Sequence, residues 1–124
     1  MKSSVEAAVN TYIRAASERD PKTRGAMLES CFAADGRLIS RNREVRGRAA
    51  LADEIARLLA DPQFERIRIV SAIDVGETTF RFQSSVERRD GTSLVFFDAG
   101  QVDATGRISL VLTFAGELAL PTEG

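Results

Sequence analysis

The chain has 124 residues, 44% of them apolar and 28% charged, with a formal net charge of -1. This is an ordinary globular composition, long enough to bury a core. The charge balance gives no electrostatic case for nucleic acid or an anionic membrane, and no stretch approaches the roughly 18 apolar residues that a bilayer span needs. Histidine is absent and Cys31 is the lone cysteine, so neither a zinc, copper or haem site nor any cofactor is expected. A single cysteine excludes an internal disulfide and fits a reducing compartment. With no long apolar run after Lys2 to read as a signal peptide, the expected location is cytoplasmic.

The first helix is predicted to start at Ser3, with Glu6 completing a capping box. Val5, Val9, Tyr12, Ile13 and Ala16 form its apolar stripe. Asp20-Pro21 reads as an N-cap followed by the first helical position. Helix two then carries Met27, Leu28, Cys31 and Phe32 as its stripe and stops at Asp35-Gly36. Arg37 to Arg41 reads as a short strand and Asn42 to Arg46 as a charged loop. After Gly47 a third helix buries Leu51, Ile55, Leu58 and Leu59, with Asp53, Glu54 and Arg57 facing water, until Asp61-Pro62.

From Phe64 the period changes to two. Ile67 and Ile69 alternate with arginines, and Gly76 marks a turn. Phe80, Phe82, Ser84 and Val86 alternate with Arg81, Gln83, Ser85 and Glu87. Asp90-Gly91 is a hairpin signal, Leu94 to Val102 the next strand, Asp103 to Gly106 a turn and Arg107 to Ala115 the last strand. The tail after Gly116 is expected to be loose. Helical periodicity first and strand periodicity second predict an α+β fold with an antiparallel meander. The last strand is apolar on both parities. Helices can cover only one face, so Val95, Phe97, Leu110, Leu112 and Phe114 call for a partner sheet, and a homodimer through the sheet is expected.

The order of these elements, with the phrases Val9-Asn10-Thr11-Tyr12-Ile13-Arg14-Ala15-Ala16, Cys31-Phe32-Ala33-Ala34-Asp35-Gly36 and Val45-Arg46-Gly47-Arg48-Ala49-Ala50-Leu51, resembles the nuclear transport factor 2-like superfamily. Its members include ketosteroid isomerases and SnoaL-like polyketide cyclases. The resemblance covers roughly Val5 to Ala115 and implies one cone-shaped domain over residues 1–124: three N-terminal helices packed on a curved, mostly antiparallel sheet.

Within that superfamily, ketosteroid isomerase pairs a tyrosine with a protonated aspartate as an oxyanion hole. The resemblance carries the tyrosine onto Tyr12, eight residues before Asp20, and the aspartate onto Asp98. It carries the general base onto Ser40, whose hydroxyl cannot shuttle a carbon-bound proton without its own activating base. On that ground little isomerisation of a β,γ-unsaturated ketone is expected. Cyclases and dehydratases of this fold that use histidine have no counterpart here. An epoxide-hydrolase site would need a carboxylate where Gln83 follows Arg81.

The expected pocket is one concave space lined by Tyr12, Leu38, Ser40, Phe82, Ser84, Asp98 and Val111. Plainer alternatives exist for the key residues: a strand-edge or interface carboxylate for Asp98, a core tyrosine for Tyr12, a small packed residue for Ser40. Cys31, with no histidine to activate it, reads as an inert buried thiol. Two functions of different class follow. One is a domain that binds a small hydrophobic molecule, an isomerase- or cyclase-like enzyme with an altered site. The other is a non-catalytic dimeric scaffold of the same fold.

Overall fold

A computed structural model of the chain describes residues 2–122. Three helices, α1 (Lys2–Ala15), α2 (Pro21–Cys31) and α3 (Arg48–Ala60), pack on a curved, unclosed sheet of seven strands. The strands are β1 (Phe32–Ser40), β2 (Arg43–Arg46), β3 (Phe64–Ile69), β4 (Asp74–Val75), β5 (Thr79–Arg88), β6 (Ser93–Val102) and β7 (Ile108–Ala115). Their order is β2-β1-β7-β6-β5-β3, with β4 paired on β5. Every pairing is antiparallel except β1 with β7.

Local chemistry explains most boundaries. The Asp20 carboxylate accepts from the Thr23 amide at 3.0 Å, and Pro21 opens α2 with a fixed φ and no amide to satisfy. At the hairpin tips Asp90 Oδ1 accepts from the Thr92 amide and Asp103 Oδ1 from the Thr105 amide, each at 2.9 Å. Gly91 and Gly106 supply the positive φ that such tight turns require.

Three expectations are corrected. Ser3 already lies inside α1, so it is not the residue that precedes the helix. Helix α2 ends at Cys31 rather than at Asp35-Gly36, because fully buried Phe32 pairs with Ile108 of β7 and starts β1. Gly36 is a close approach within that strand, not a helix stop: a Cβ there would lie 2.6 Å from the Phe32 ring and 3.0 Å from the Ile108 carbonyl. The predicted loop at 42–46 contains β2, whose Val45 pairs with Leu38 and faces inward.

One core fills the concave side of the sheet. Val5, Val9 and Ile13 of α1, Leu28 of α2, and Leu51 and Ile55 of α3 meet Phe32, Phe82, Ile108 and Val111 of the strands. The opposite face carries Ile39, Val95, Phe97, Leu110, Leu112 and Phe114 with no helix over them. Phe97 and Phe114, opposite each other across β6 and β7, are 41% and 58% exposed. No described helix is long and apolar enough to cross a membrane.

Gly100 lets the strands and the core approach so closely, since an added Cβ would stand 2.0 Å from the Leu110 carbonyl oxygen and 2.6 Å from the Phe80 ring. Gly100→Ala is therefore expected to destabilise the fold by about 1–3 kcal/mol. A urea titration that finds it within about 0.5 kcal/mol of wild type, the ordinary surface range, would contradict this packing.

Candidate functional site

The strand register assembles the site. Asp98 on β6 stands opposite Phe82 on β5 and Thr113 on β7, and all three side chains point to the concave face. One step further along the strands, Ser84 is opposite Phe96 and faces the same way. Above this row, Tyr12 descends from α1, its ring stacked on Phe32 at a centroid distance of 6.0 Å. The third wall is α3.

Between these walls lies a cavity of about 280 Å³ lined by fourteen residues. Ile13, Ala16, Leu38, Leu51, Ile55, Leu58, Ile67, Val86 and Phe96 make it mainly apolar. Tyr12, Glu54, Ser84, Asp98 and Thr113 supply its polar groups. A few polar groups on an apolar wall are what a small-ligand site uses to orient its guest. A wider depression of about 490 Å³ lies on the other face beside Arg81, Leu110 and Leu112. Its ion pair, Arg81 to Asp74 at 2.7 Å, is exposed to solvent, so charge there is screened and chemically ordinary.

Asp98 is 5% exposed. The Ser84 hydroxyl donates to its Oδ2 at 3.2 Å, whereas Oδ1 is buried without a hydrogen-bond partner. Burial pushes the carboxyl above the ordinary carboxylate range, against the opposing influence of the Thr113 and Ser84 hydroxyls. Burial first, then the charge of Asp98 and then Cys31, push the Tyr12 phenol well above its ordinary value. In each case burial shifts the balance towards the protonated form, in which a carboxyl and a phenol are both hydrogen-bond donors.

Of the residues expected to line one space, Tyr12, Leu38, Ser84 and Asp98 do so together. Phe82 and Val111 do not. Both face inward but lie deeper, Phe82 beside Phe80 at 6.0 Å and Val111 between Leu38 and Gly100, where side chains fill the cone. Ser40 is also outside. It is exposed at the tip of the β1–β2 hairpin, beyond the cover of the helices, and its hydroxyl donates to the Arg43 carbonyl at 3.4 Å. Cys31 is buried and burial raises its thiol to about 11.

Glu54 is the residue that the helical reading misassigned. It faces the cavity, not bulk water, and its side chain is 24% exposed. Its Oε1 is ion-paired with Arg43 of β2 at 2.6 Å and with Arg57, without a well-aligned hydrogen bond to either. The signal was present in the spacing: 51, 54, 55 and 58 are the i, i+3, i+4 and i+7 positions of one helix face.

The burial of Asp98 has a consequence for stability. The folded state holds this proton more tightly than the unfolded chain does. The group's contribution is therefore fully present below the unfolded value of about 4 and is lost as pH rises through the folded value. Asp98→Asn removes that cost, so the variant is expected to melt several degrees above wild type at about pH 7, with the gap shrinking towards about pH 4. Thermal melts with the same gap at both pH values would show that the carboxyl is not desolvated.

No family model matches the chain, and no curated protein does. Solved structures do. A protein from Agrobacterium tumefaciens str. C58 assigned as an isomerase of the SnoaL-like family superposes with a TM-score of 0.81 at 21% identity, over 93% of this chain and 99% of that one. A protein from Jannaschia sp. CCS1 assigned as a SnoaL-like polyketide cyclase gives 0.72 at 12% identity, over 92% and 86%. A de novo designed protein with a curved β-sheet gives 0.74 at 17% identity, over 92% and 86%. At such identities the likeness is one of architecture, and the designed protein makes the point that architecture alone names no reaction. By its topology and these superpositions, the chain has the cone-shaped fold of the nuclear transport factor 2-like superfamily.

Proposed function

We propose that the chain binds a small, mainly apolar carbonyl compound in the cavity under α1 and α3, as an isomerase- or cyclase-like enzyme with an altered site. The observation that carries this reading is Asp98, a carboxyl buried in an apolar wall with Oδ1 unpartnered, beside a phenol that is also held protonated. Two donors converging in a water-poor space suit an oxygen that gains negative charge during reaction. The assignments of the Agrobacterium and Jannaschia proteins as isomerase and cyclase agree with it.

Size narrows the guest. An apolar cavity of about 150 Å³ holds a benzene ring, so about 280 Å³ has room for one or two rings. 2-Naphthol, a two-ring phenol with one oxygen, is a suitable probe. It is expected to bind, and Tyr12→Phe or Asp98→Leu should each weaken it about tenfold, the worth of one hydrogen bond of about 1.4 kcal/mol. A titration calorimetry trace showing no binding to wild type would remove this reading and favour a scaffold without a ligand.

The bare sheet face favours a twofold dimer under either function. Burying Val95, Phe97, Leu110, Leu112 and Phe114 contributes at most about 1.5–3 kcal/mol per side chain, and part of that is offset by the cost of association. Leu112→Glu sets a charge in the middle of that patch and is expected to split the dimer. Light scattering that gives the monomer mass of 13.5 kDa for wild type at micromolar concentration would rule the dimer out.

A further inference from the structure

We propose that the guest of this cavity is anionic at one end: a small-ring carbonyl compound whose carboxylate lies in the groove between α1 and β3, against Arg14, Arg66 and Arg68. The inference rests on the proposed seating of the guest's oxygen at Tyr12 and Asp98. It goes beyond that reading by giving the guest a charge and a second anchoring point.

Continuity comes first. A groove of about 290 Å³ runs along β3 on the side of α1, and Ile13 and Ile67 line both it and the cavity. The two spaces therefore adjoin at these side chains, and a skeleton passing between them stays in contact with carbon at the junction. Strand β3 ends the sheet, two strands from β6, so it stands about 10 Å from the strand of Asp98 at about 4.8 Å per strand. A two-ring skeleton covers that span.

Charge gives the span a direction. None of the fourteen residues around the cavity is basic, and two are acidic, Glu54 and Asp98. The groove reverses this: three of its eight lining residues are arginines and none is acidic. A guest with a neutral oxygen at one end and a negative charge at the other fits the two spaces in one orientation only.

The positive charge is also available. Arg66 and Arg68 share one carboxylate, that of Glu87, at 2.5 and 2.6 Å. Arg14, on the helical wall, bonds a neutral hydroxyl, that of Thr11 at 3.3 Å, and forms no ion pair among the described residues. Against three guanidinium groups stand Glu87 and, outside the lining, Glu65 beside Arg66, which leaves a positive surplus. The arginines are exposed, so they attract an anion to the rim and hold it modestly. Ser17 favours a small molecule over a peptide as the occupant. Its hydroxyl accepts from the Ile67 amide at 3.1 Å and donates to the Ile67 carbonyl at 3.3 Å, so a strand added to the edge of β3 would have to displace it.

The test compares 6-hydroxy-2-naphthoate with its methyl ester, and both with 2-naphthol, by titration calorimetry on the whole chain at about pH 7, where only the acid is charged. The acid is expected to bind about fivefold more tightly than the ester, the upper worth of an exposed ion pair. That difference should shrink in about 0.5 M salt, where screening is short-ranged. Arg14→Gln and Arg68→Gln should each reduce the difference and together abolish it, with 2-naphthol held within about twofold of wild type because its contacts lie elsewhere. If 2-naphthol binds but the acid binds no more tightly than the ester, or the double variant keeps the difference, the anionic end is overturned. The cavity reading then survives, and the arginines serve only to guard the edge of β3. If 2-naphthol does not bind to wild type, the cavity reading fails and the spanning guest is overturned with it.

Discussion

Everything in this molecule turns on a carboxyl group set into an apolar surface. The concave face of the sheet must be hydrophobic enough to hold three helices. At Asp98, in the middle of it, the chain carries a group that water would ionise. Ionising it there without a cation costs several kcal/mol. Burial therefore shifts the group towards the neutral acid, with one oxygen accepting from Ser84 and the other buried without a hydrogen-bond partner. Tyr12 faces the same constraint and meets it in the same way, by keeping its proton.

The two faces of the sheet divide the structure's work. Inward positions of β5, β6 and β7 are large and buried at the narrow end, with Phe80, Phe82, Val102, Ile108 and Val111, so that end is solid. Towards the other end the inward positions become Ser84, Asp98 and Thr113, and the helices stand off far enough to leave space. Outward positions alternate with these. Their aliphatic and aromatic side chains on β6 and β7 give way to ion-paired charges at the sheet's borders, Arg37 with Glu44 on one side and Arg66 and Arg68 with Glu87 on the other. An apolar centre ringed by paired charge is the composition of a contact surface.

Charge is likewise divided at the cavity. Among the described residues Asp98 forms no ion pair, whereas Glu54 is paired with Arg43 and Arg57. The β1–β2 hairpin matters here because it delivers Arg43, and it is the part of the chain where the sequence reads least like a strand. Its residues are mostly charged, and only Val45 is buried. Tertiary pairing with β1 makes it a strand in spite of that composition.

The sequence by itself determined what depends on periodicity and local chemistry. The 3.6-residue stripes fixed three helices, alternation fixed the long strands of the meander, and Asp20-Pro21, Asp90-Gly91 and Asp103 to Gly106 fixed the breaks between elements. Parity alone sorted Phe97, Leu112 and Phe114 away from Asp98 and Ser84. Only the tertiary structure decided depth and neighbourhood. Phe82, Val111 and Ser40 share the inward parity of the cavity residues, yet two are plugged into the narrow end and one overhangs at a hairpin tip. A two-residue period tells which face a side chain takes but not how far along the cone it sits. Glu54 shows the complementary limit. Its polarity suggested solvent although its spacing belonged to the buried face, and the conflict was resolved by Arg43, a residue eleven positions away that comes into reach only when β2 pairs with β1 beside α3. Long-range pairing of charges leaves no periodic trace in a sequence, so the chemistry of this cavity became legible only when the chain was folded.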